Sequence, residues 1–561
     1  MANVVSPWQI LASVYVSVRI FWACRMPIMD CDEVYNYWEP LFFVLYGDGG
    51  LQTWEYAHEY ALRTYAYLWP LKQLAPLLST LMRILQPANS FLTDFPVQND
   101  RLATFVAMKA VLAGSMAVAE VVWCHALSTR LLTSRRHVPF YLALIMGTSA
   151  GMNHASAALL PSSTWMLAFL LASTAYLYER HYAFCVAAVA ATLTIGWPFG
   201  VMMLAPLGLR ILWKEWMVRS AKGVFLLLTF TAAIAVAVQA VVMVIDYRNY
   251  GIWVSPTINI FTYNAAGGGD ELYGTERITY YVKNLFLNLN VVSFLGAAVL
   301  PMIVFTQLRN ADLIVLLSPM YLWLAVVVPR PHKEERFLFP IYPLLCLGAV
   351  LTVDKIANFI GRIVSVLSRH KELMMRQRHA VHILVWSLSV FVSMLRTMAL
   401  YKYYSAPMHI YAALNVLQEE GATIIESKTV CTCGEWHRFP SSFFLPKGVH
   451  LTFLESSFRG QLPQYFSIHG SRPEGQQVLQ SFNDQNKEEP LRYGNLTMCD
   501  WIVDLQDGEC APAKAQVVKS VPFMDAGRTQ ALHRILYLPY LHEQSIEMEK
   551  VHYQNYVLYQ M

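Results

Sequence analysis

The sequence predicts an α-helical polytopic membrane protein that ends in a polar region. Of its 561 residues, 56% are hydrophobic and only 14% are charged, whereas soluble domains carry roughly 25% charged residues. Eleven apolar segments lie within residues 1–403, and none follows them. The net charge of +4 is small and no basic tract is interleaved with aromatic residues, which argues against nucleic acid as a partner.

The eleven apolar segments are the predicted spans, because a helix needs about 20 mainly apolar residues to cross a bilayer. The first is expected to be a retained span, since no basic residue precedes it and no cleavage signal follows. Several segments are short, which is also typical of buried or re-entrant helices. The predicted spans are Trp8–Cys24, Leu102–Leu127, Val138–Met152, Ser162–Leu177, Ala183–Ile195, Phe199–Leu212, Val224–Ile245, Leu285–Phe305, Leu313–Val328, Leu338–Val353 and His382–Leu400.

Lysine and arginine residues gather in alternate connecting segments, and this pattern predicts the orientation of the chain. The basic segments include those from Arg130 to Arg136, from Arg210 to Lys222 and from Lys355 to Arg378. Cytosolic loops carry such an excess, so we expect a cytosolic N-terminus and lumenal acidic loops. Residues 1–403 are then the membrane domain, and residues 404–561 form a lumenal C-terminal domain.

The region 404–561 is polar and rich in turns, which favours a separate domain of mixed α/β structure. It contains the only glycosylation sequon of the chain, at Asn495. Four of its cysteines are candidates for disulfides in an oxidising compartment, and free buried thiols are the alternative. The pairing stays open among Cys431, Cys433, Cys499 and Cys510.

An acidic and aromatic run, Met29 to Pro40, follows the first predicted span. Ionisable groups at a membrane boundary normally face a substrate, a partner or a water-filled cavity. Crowded like charges push at least one carboxyl pKa upward, which makes Asp30, Asp32 and Glu33 candidates for a general base. An acidic flank or a helix cap is the alternative. The run opens a long connection, residues 26–100, in which we expect helices lying at the membrane interface.

A second charged cluster, His332 to Phe337, lies between two later predicted spans on the same predicted side of the membrane. His332, Lys333 and Arg336 offer charge-assisted hydrogen bonds to a phosphate, and Glu335 is among the carboxylates that would orient them. An ordinary hydrated loop is the alternative, but apolar spans and prolines confine the run. We expect the two charged clusters to form one active site.

Two further features complete the set of candidates. A glycine-rich loop, Gly267 to Glu276, is expected to act as a mobile gate, because no Gly-Lys-Ser/Thr follows it as a nucleotide loop requires. Within the second predicted span, Lys109 and Glu120 share a helix face about 16 Å apart. We expect both side chains to point into a polar interior.

Long motifs over nearly the whole chain resemble the dolichol-phosphate-mannose-dependent mannosyltransferases. The similarity is greatest to the branch that makes alpha-1,2 linkages in lipid-linked oligosaccharide assembly. The motifs are Asp30-Cys31-Asp32-Glu33, Asn36-Tyr37-Trp38-Glu39-Pro40, Gln52-Thr53-Trp54-Glu55-Tyr56, Arg63-Thr64-Tyr65-Ala66-Tyr67, Leu272-Tyr273-Gly274-Thr275-Glu276, His332-Lys333-Glu334-Glu335-Arg336-Phe337 and Glu435-Trp436-His437-Arg438-Phe439-Pro440.

The resemblance implies a GT-C glycosyltransferase with lumenal catalytic loops, located in the endoplasmic reticulum membrane. It implies inverting transfer, without a metal or cofactor, from dolichyl-phosphate mannose to the mannose 2-hydroxyl of a dolichol-linked oligosaccharide during N-glycan precursor assembly. By similarity Asp32 is the base, with Glu33 as the second candidate. The residues implied to bind the donor phosphate or substrate are Asp30, Trp54, Glu55, Arg63, Tyr273, His332, Lys333, Glu335 and Arg336.

Two alternatives compete with this interpretation. A sister mannosyltransferase would make another linkage, either alpha-1,6 in the N-glycan precursor or a bond in the glycosylphosphatidylinositol anchor. A lipid or sugar transporter would also be polytopic with buried charge, but we find no internal repeat of the kind that transporters carry. The acceptor branch and the number of mannoses added stay open at this point.

Overall fold

The computed structural model describes residues 6–84, 92–266, 272, 274–305, 310–368, 371–420, 427–466, 482–512 and 514–561. They form two compact units that are interleaved along the chain. The first unit comprises Met1–Arg19, Leu112–Arg248 and Ile260–Thr397, and the second comprises Ile20–Val111, Asn249–Asn259 and Met398–Met561. The second unit therefore brings the first acidic loop together with the C-terminal region.

The eleven apolar segments predicted as spans are helical over most of their described length, but extended backbone at Ser149 divides Val138–Met152 and Asn290 interrupts Leu285–Phe305. In the described part, four helical stretches are long and apolar enough to cross a membrane: Asp100–Leu131, Pro198–Tyr250, Glu335–Leu367 and Met375–Tyr404. A fifth is counted if the bent pair Ala150–Ala157 and Pro161–Leu177 is one span. The chain is thus a multi-pass helical membrane protein, and the number eleven stays a prediction.

Most helices of this apolar part follow one another with short connections, but the long first connection separates Pro7–Ala23 from Asp100–Ala126. Pro198–Leu204 and Glu335–Ile341 are 3-10 turns that lead directly into longer helices, and Leu127–Leu131 is a π turn. The α-helices are Pro7–Ala23, Asp100–Ala126, His137–Thr148, Ala150–Ala157, Pro161–Leu177, His181–Thr194, Ala205–Tyr250, Pro256–Ala266, Thr279–Leu289, Val291–Ala297, Val299–Phe305, Ala311–Val327, Tyr342–Ser368 and Lys371–Tyr404.

Two of the departures from the predicted helix boundaries have a clear physical reason. The basic segment from Arg210 to Lys222, expected as a loop, continues the helix Ala205–Tyr250 apart from a break at Ser220, where φ is 56°. Lysine, arginine and glutamate are good helix formers, so a charged stretch need not end a helix. The predicted span Leu285–Phe305 is instead three short helices, the second of which Asn290 caps by accepting from Val292 N. Asparagine tolerates the positive φ of 46° found there.

The core of the first unit is built around the helix Tyr342–Ser368, whose apolar residues are buried from Tyr342 to Val353, whereas Phe359, Val366 and Leu367 nearer its end are exposed. The helix Val291–Ala297 crosses it closely through two glycines. A Cβ atom at Gly348 would lie 2.6 Å from the carbonyl oxygen of Gly296, so the crossing has no room for a side chain there. Small residues allow this close approach between membrane helices.

The second unit begins with one helical rod, which changes type twice. The rod consists of Cys31–Glu33, the π turn Val34–Trp38, and Glu39–Tyr46, which ends at Gly47 with φ of 69°. The long first connection also contains the helix Trp69–Ile84, whose Leu74, Leu77 and Leu81 are exposed. An apolar row exposed along a helix is what the predicted interfacial location requires.

The rest of the second unit is a small sheet with short helices. The helices are Ala406–Glu420, Ala531–Ile535 and His542–Glu547, and the 3-10 turns are Trp54–Tyr56, Tyr65–Tyr67, Gly434–Arg438, Ser442–Phe444, Pro490–Arg492, Leu496–Met498 and Pro539–Leu541. The strands are β1 Leu51–Gln52, β2 Lys428–Thr432, β3 Val449–Phe453, β4 Gln464–Tyr465, β5 Trp501–Leu505, β6 Gln516–Met524 and β7 Tyr553–Gln560.

Five strands form a mixed sheet in the order β3-β2-β5-β7-β6, with β2 parallel to both of its neighbours. Two disulfides, Cys431–Cys499 and Cys433–Cys510, tie its strands and loops together. The four cysteines considered in the sequence are therefore paired rather than free. The remaining strands, β1 and β4, form a second, two-stranded sheet that joins the first loop to the C-terminal region.

Candidate active site

The N-terminal turn of the helical rod carries the three carboxylates predicted as base candidates. Asp30 caps this turn, because its Oδ1 accepts a hydrogen bond of 2.9 Å from the backbone N–H of Asp32. Asp is a favoured cap residue, so the helix-cap alternative holds for Asp30. Asp32 follows within the first turn and is partly exposed. The local sequence thus places the Asp32 carboxylate at the positive end of a short helix.

Glu33 has a different environment from its neighbour. Its side chain is buried, and Oε1 accepts a 2.8 Å hydrogen bond from Trp38 Nε1. The buried Lys109, which donates to the carbonyl oxygen of Met26, is near enough for its charge to interact with Glu33. A carboxylate held in this way is poorly placed to meet a substrate, so the geometry favours Asp32 over Glu33 as the base.

Arg63 forms the centre of a second polar group in the same unit. Its Nε and one terminal nitrogen bind the two oxygens of Glu55 at 3.1 and 2.7 Å, and the other terminal nitrogen donates to Tyr37 Oη at 2.6 Å. Burial lowers the pKa of Arg63. The neighbouring Glu55, Tyr37 and Asp32 raise it by more than burial lowers it, so the net shift is upward. Trp54 packs edge-on against Tyr60, with ring centres 5.0 Å apart.

This arrangement brings three of the predicted residues near one another. Arg63 stays cationic and interacts with both Glu55 and the base candidate Asp32. A guanidinium between two carboxylates is suited to orient the hydroxyl groups of a sugar and to keep a nearby carboxylate ionised. Asp32, Glu55 and Arg63 therefore form one interacting group.

The structure also assigns partners to Glu39, which was not among the site residues predicted from the sequence. The side chain is fully buried, and Oε1 accepts from Ser441 Oγ at 2.7 Å and from Ser442 N at 2.6 Å. Oε2 accepts from Ser442 Oγ at 2.7 Å and from Leu51 N at 3.1 Å. Burial raises the pKa of the Glu39 carboxyl, and these hydrogen bonds act against that rise. No local sequence signal pairs residues so far apart.

The second predicted cluster lies in the first unit. His332 Nε2 is 2.7 Å from Glu334 Oε1, and Arg336 forms an ion pair with the same carboxylate. Lys333 is buried and donates to the carbonyl oxygen of Arg330. The hydrogen bond with Glu334 raises the pKa of His332, burial lowers it, and the Gly274 carbonyl raises it again, for a net upward shift. Two cationic side chains, Lys333 and Arg336, and a histidine with a raised pKa are thus gathered within five residues.

The third predicted loop contacts this cluster. His332 Nδ1 is 3.0 Å from the carbonyl oxygen of Gly274, and Glu276 N donates to the carbonyl oxygen of Pro331 at 3.0 Å. Glu335 accepts from Asn288 Nδ2 at 2.8 Å, which orients it on the neighbouring helix. Tyr273 and the predicted gate residues Gly267 to Glu271 lie outside the described residues.

The polar interior expected around Glu120 is present, but its main partner was not predicted. Glu120 pairs with Arg19, whose terminal nitrogen lies 2.8 Å from Oε2, and both side chains are buried. Arg19 also donates to Asn153 Oδ1 at 2.6 Å and to the carbonyl oxygen of Met146 at 2.7 Å. The signal was the single arginine that interrupts the first apolar segment, since such a charge needs a buried counter-ion.

Two groups among the described residues bring possible metal ligands within 4.8 Å of one another. They are Asp30, Cys31 and Asp32 in the second unit and His137, Asp354 and His382 in the first. In the latter group, guanidinium groups already bind Asp354, at 3.2 Å from Arg135 and 3.0 Å from Arg378. Charges of this kind oppose a cation. Metal-independent chemistry stays a prediction.

Comparison with known proteins identifies the family of this chain. The profile of the Alg9-like mannosyltransferase family matches residues 10–446, which is most of the chain. The chain belongs to the Alg9-like mannosyltransferase family. It is 32% identical to alpha-1,2-mannosyltransferase Alg9 of Drosophila melanogaster over 95% of this chain and 85% of the relative. The mouse protein of the same name is 33% identical over 94% of this chain and 85% of the relative.

Membership of the Alg9-like family confirms the predicted mannosyltransferase activity and excludes the transporter alternative. The prediction of an alpha-1,2-mannosyltransferase of N-glycan precursor assembly agrees with it. Among solved structures, ArnT from Cupriavidus metallidurans, bound to undecaprenyl phosphate, shares the fold with a TM-score of 0.51 and 11% identity. The match covers 80% of this chain and 86% of ArnT. The predicted GT-C architecture agrees with this likeness.

Proposed function

We propose that this Alg9-like enzyme transfers mannose from dolichyl-phosphate mannose to a mannose 2-hydroxyl of a dolichol-linked oligosaccharide. The product is an alpha-1,2 linkage, formed with inversion at the lumenal face of the endoplasmic reticulum membrane. The observation that carries the mechanism is the environment of Asp32. It is the partly exposed carboxylate on a capped helix turn, next to a cation, in the motif shared with mannosyltransferases.

Asp32 is the general base in this mechanism. It takes the proton from the acceptor 2-hydroxyl while that oxygen attacks the anomeric carbon of the donor mannose. The bond between the anomeric carbon and the phosphate oxygen breaks, and dolichyl phosphate leaves with the bonding electron pair. Attack opposite the phosphate converts the beta-linked donor into an alpha-linked product. Base catalysis of this kind contributes about 10²–10⁴-fold to the rate.

The cationic turn of the first unit serves the leaving group. The departing phosphate is an anion, so it needs electrostatic stabilisation more than protonation. His332, Lys333 and Arg336 supply three positive groups for it. Glu334 already holds two of them in place, which reduces the reorganisation needed when the donor binds. Glu335, fixed by Asn288, orients the end of this turn.

The polar group around Arg63 would hold the sugars. Arg63 and Glu55 present a fixed donor and acceptor pair for hydroxyl groups, and Trp54 offers an aromatic face of the kind on which sugar rings pack. Asp30 acts through the helix turn that it caps. Tyr273 belongs to the same proposed set, on the evidence of its motif alone.

The membrane arrangement is part of the proposal. About eleven spans would leave the N-terminus cytosolic and the motif loops lumenal, with the dolichyl tails of both substrates against the spans. The C-terminal region, residues 404–561, would recognise the acceptor. Asn495 is exposed, and its side chain accepts from Thr497 N within its sequon, so it is open to glycosylation.

The proposal is tested by reconstituting the purified chain with dolichyl-phosphate mannose and lipid-linked oligosaccharides of defined length. We expect transfer of mannose to acceptors with a free terminal 2-hydroxyl, and a product sensitive to a mannosidase specific for alpha-1,2 bonds. GDP-mannose should not replace the lipid donor. Transfer to another hydroxyl would indicate the sister linkage, and absence of transfer by folded protein would contradict the proposal.

A further inference from the structure

Both oxygens of the Glu39 carboxylate accept hydrogen bonds from other segments of the second unit. It is fully buried and accepts four hydrogen bonds, two to each oxygen. Three of the four donors come from Ser441 and Ser442, which lie about 400 residues later in the chain. The fourth is Leu51 N, at the start of the strand β1. One side chain thus connects three segments of the unit.

Glu39 stands on the helical rod that carries Asp32. The rod runs without a break from Cys31 through the π turn to Tyr46. Glu39 follows Asp32 by seven positions, which is about 10 Å along a helix axis. A rigid rod of this length transmits a displacement at Glu39 to the carboxylate at its N-terminal turn.

A second contact fixes the same rod to the same C-terminal segment. Tyr35 Oη donates to the carbonyl oxygen of Trp436 at 2.7 Å. The Tyr35 ring also lies against Phe439, with centres 6.4 Å apart and planes nearly parallel. Tyr35 and Glu39 are four residues apart on the rod, so the two contacts hold it at two points.

Packing alone does not require a charge at position 39. Replacing buried charges by well-packed apolar groups is often neutral or stabilising, because the desolvation of a carboxylate is costly. What a carboxylate with four fixed donors provides is a single orientation, since each hydrogen bond depends on distance and angle. The arrangement is therefore suited to fix the position of the rod rather than to stabilise the fold.

We propose that Glu39 is a positioning residue for the general base, and that residues 436–442 are part of the active-site scaffold. Glu39 holds the rod at the angle at which the Asp32 carboxylate meets the acceptor hydroxyl. The C-terminal region then contributes to the chemical step as well as to the acceptor affinity proposed above. This inference rests on the proposed role of Asp32 as base.

The first experiment compares Glu39→Gln with the wild-type enzyme in the mannose-transfer assay. The amide group of glutamine would confront the N–H of Ser442 or of Leu51, because one of the two oxygens becomes a donor. We expect kcat to fall about 100-fold with little change in KM, since a displacement near 1 Å has such an effect on a positioned catalytic group. Ser442→Ala removes one donor and should show a smaller loss of the same kind.

A double variant distinguishes positioning from a general loss of structure. If Glu39 acts through Asp32, then Glu39→Gln should lower kcat little further once Asp32→Asn has removed the base. A purely structural residue would lower the activity by the same factor in both backgrounds. Glu547→Gln, which makes the same change on an exposed helix residue, is the matched control and should leave kcat unchanged.

Melting temperatures of all variants, measured in the same detergent, show which of them are folded. A folded Glu39→Gln enzyme with wild-type kcat would overturn the inference, and so would equal losses in both backgrounds. If Glu39→Gln does not fold, the single-donor variant Ser442→Ala is tested in the same cycle with the same criteria. Failure of the wild-type enzyme to transfer mannose would instead contradict the proposed function.

Discussion

Replacing Asp32 by asparagine tests the proposed base with little expected damage to the fold. The change leaves the backbone N–H of residue 32 bonded to Asp30 Oδ1, so the helix cap persists. Arg63 loses one charged neighbour but keeps both hydrogen bonds to Glu55. Loss of a partly exposed charge pair changes the free energy of unfolding by about 0–1 kcal/mol.

The expected effect on catalysis is much larger. Loss of general-base help lowers kcat by about 10²–10⁴-fold. This corresponds to roughly 2.7–5.4 kcal/mol of transition-state stabilisation. The asparagine oxygen still accepts a hydrogen bond from the acceptor hydroxyl, so KM for the oligosaccharide should change little. The predicted signature is thus a large loss of kcat in a protein with nearly wild-type stability.

Glu33→Gln is the matched comparison, because the two carboxylates are adjacent in sequence but differ in burial. The amide oxygen of glutamine can still accept from Trp38 Nε1, whereas Lys109 loses a neighbouring negative charge. An imperfectly compensated buried group costs about 1–3 kcal/mol. We therefore expect a lower melting temperature and a nearly unchanged kcat.

Both variants are assayed for initial rates of mannose transfer, normalised to folded protein measured by size-exclusion chromatography and thermal unfolding. The reasoning is refuted if Asp32→Asn keeps its activity within tenfold while folded Glu33→Gln loses it, because the base would then be Glu33. Loss of activity in both would show that burial alone does not separate their roles.

Three further predictions concern charge and cross-links. The pKa of His332 is raised by its hydrogen bond with Glu334, so its imidazole loses its charge only above the ordinary histidine range of about pH 6.5. KM for the lipid donor should increase as pH rises through that pKa, but not in His332→Gln. Cys431→Ser breaks the disulfide Cys431–Cys499 and should lower the free energy of unfolding by about 2–5 kcal/mol. An unchanged melting temperature would contradict this. Glu120→Gln should lower the free energy of unfolding by about 3–5 kcal/mol, because it leaves the buried Arg19 without its counter-ion. The double variant with Arg19→Met should recover part of this loss, and chemical denaturation measures both changes.

Local patterns predicted the helices of the membrane part well. The eleven apolar segments are helical over most of their described length, because a run of apolar residues has to satisfy its backbone hydrogen bonds internally in lipid. Helix ends were harder to predict, as in the basic stretch that continues Ala205–Tyr250 past Arg210. Charged residues of high helix propensity continue the helix as far as the break at Ser220.

The candidate site was predicted in its parts but not in its internal contacts. The motif residues Arg63 and Glu55 were expected to bind substrate, and the structure joins them in one ion pair with both side chains 14% exposed. Cys431 and Cys433 are separated by one residue but bind different partners. Spacing along the chain gave no means of choosing among those pairings.

The sequence by itself determined that this chain is a helical membrane protein and, through long motifs, that it belongs with the mannosyltransferases. Hydropathy and motifs are properties of neighbouring residues, so they survive without any knowledge of packing. Only the tertiary structure decided that Glu33 is buried while Asp32 is partly exposed, and that Glu39 is bonded by Ser441 and Ser442. Burial and pairing depend on which distant segments pack together, and that choice is made by the whole chain.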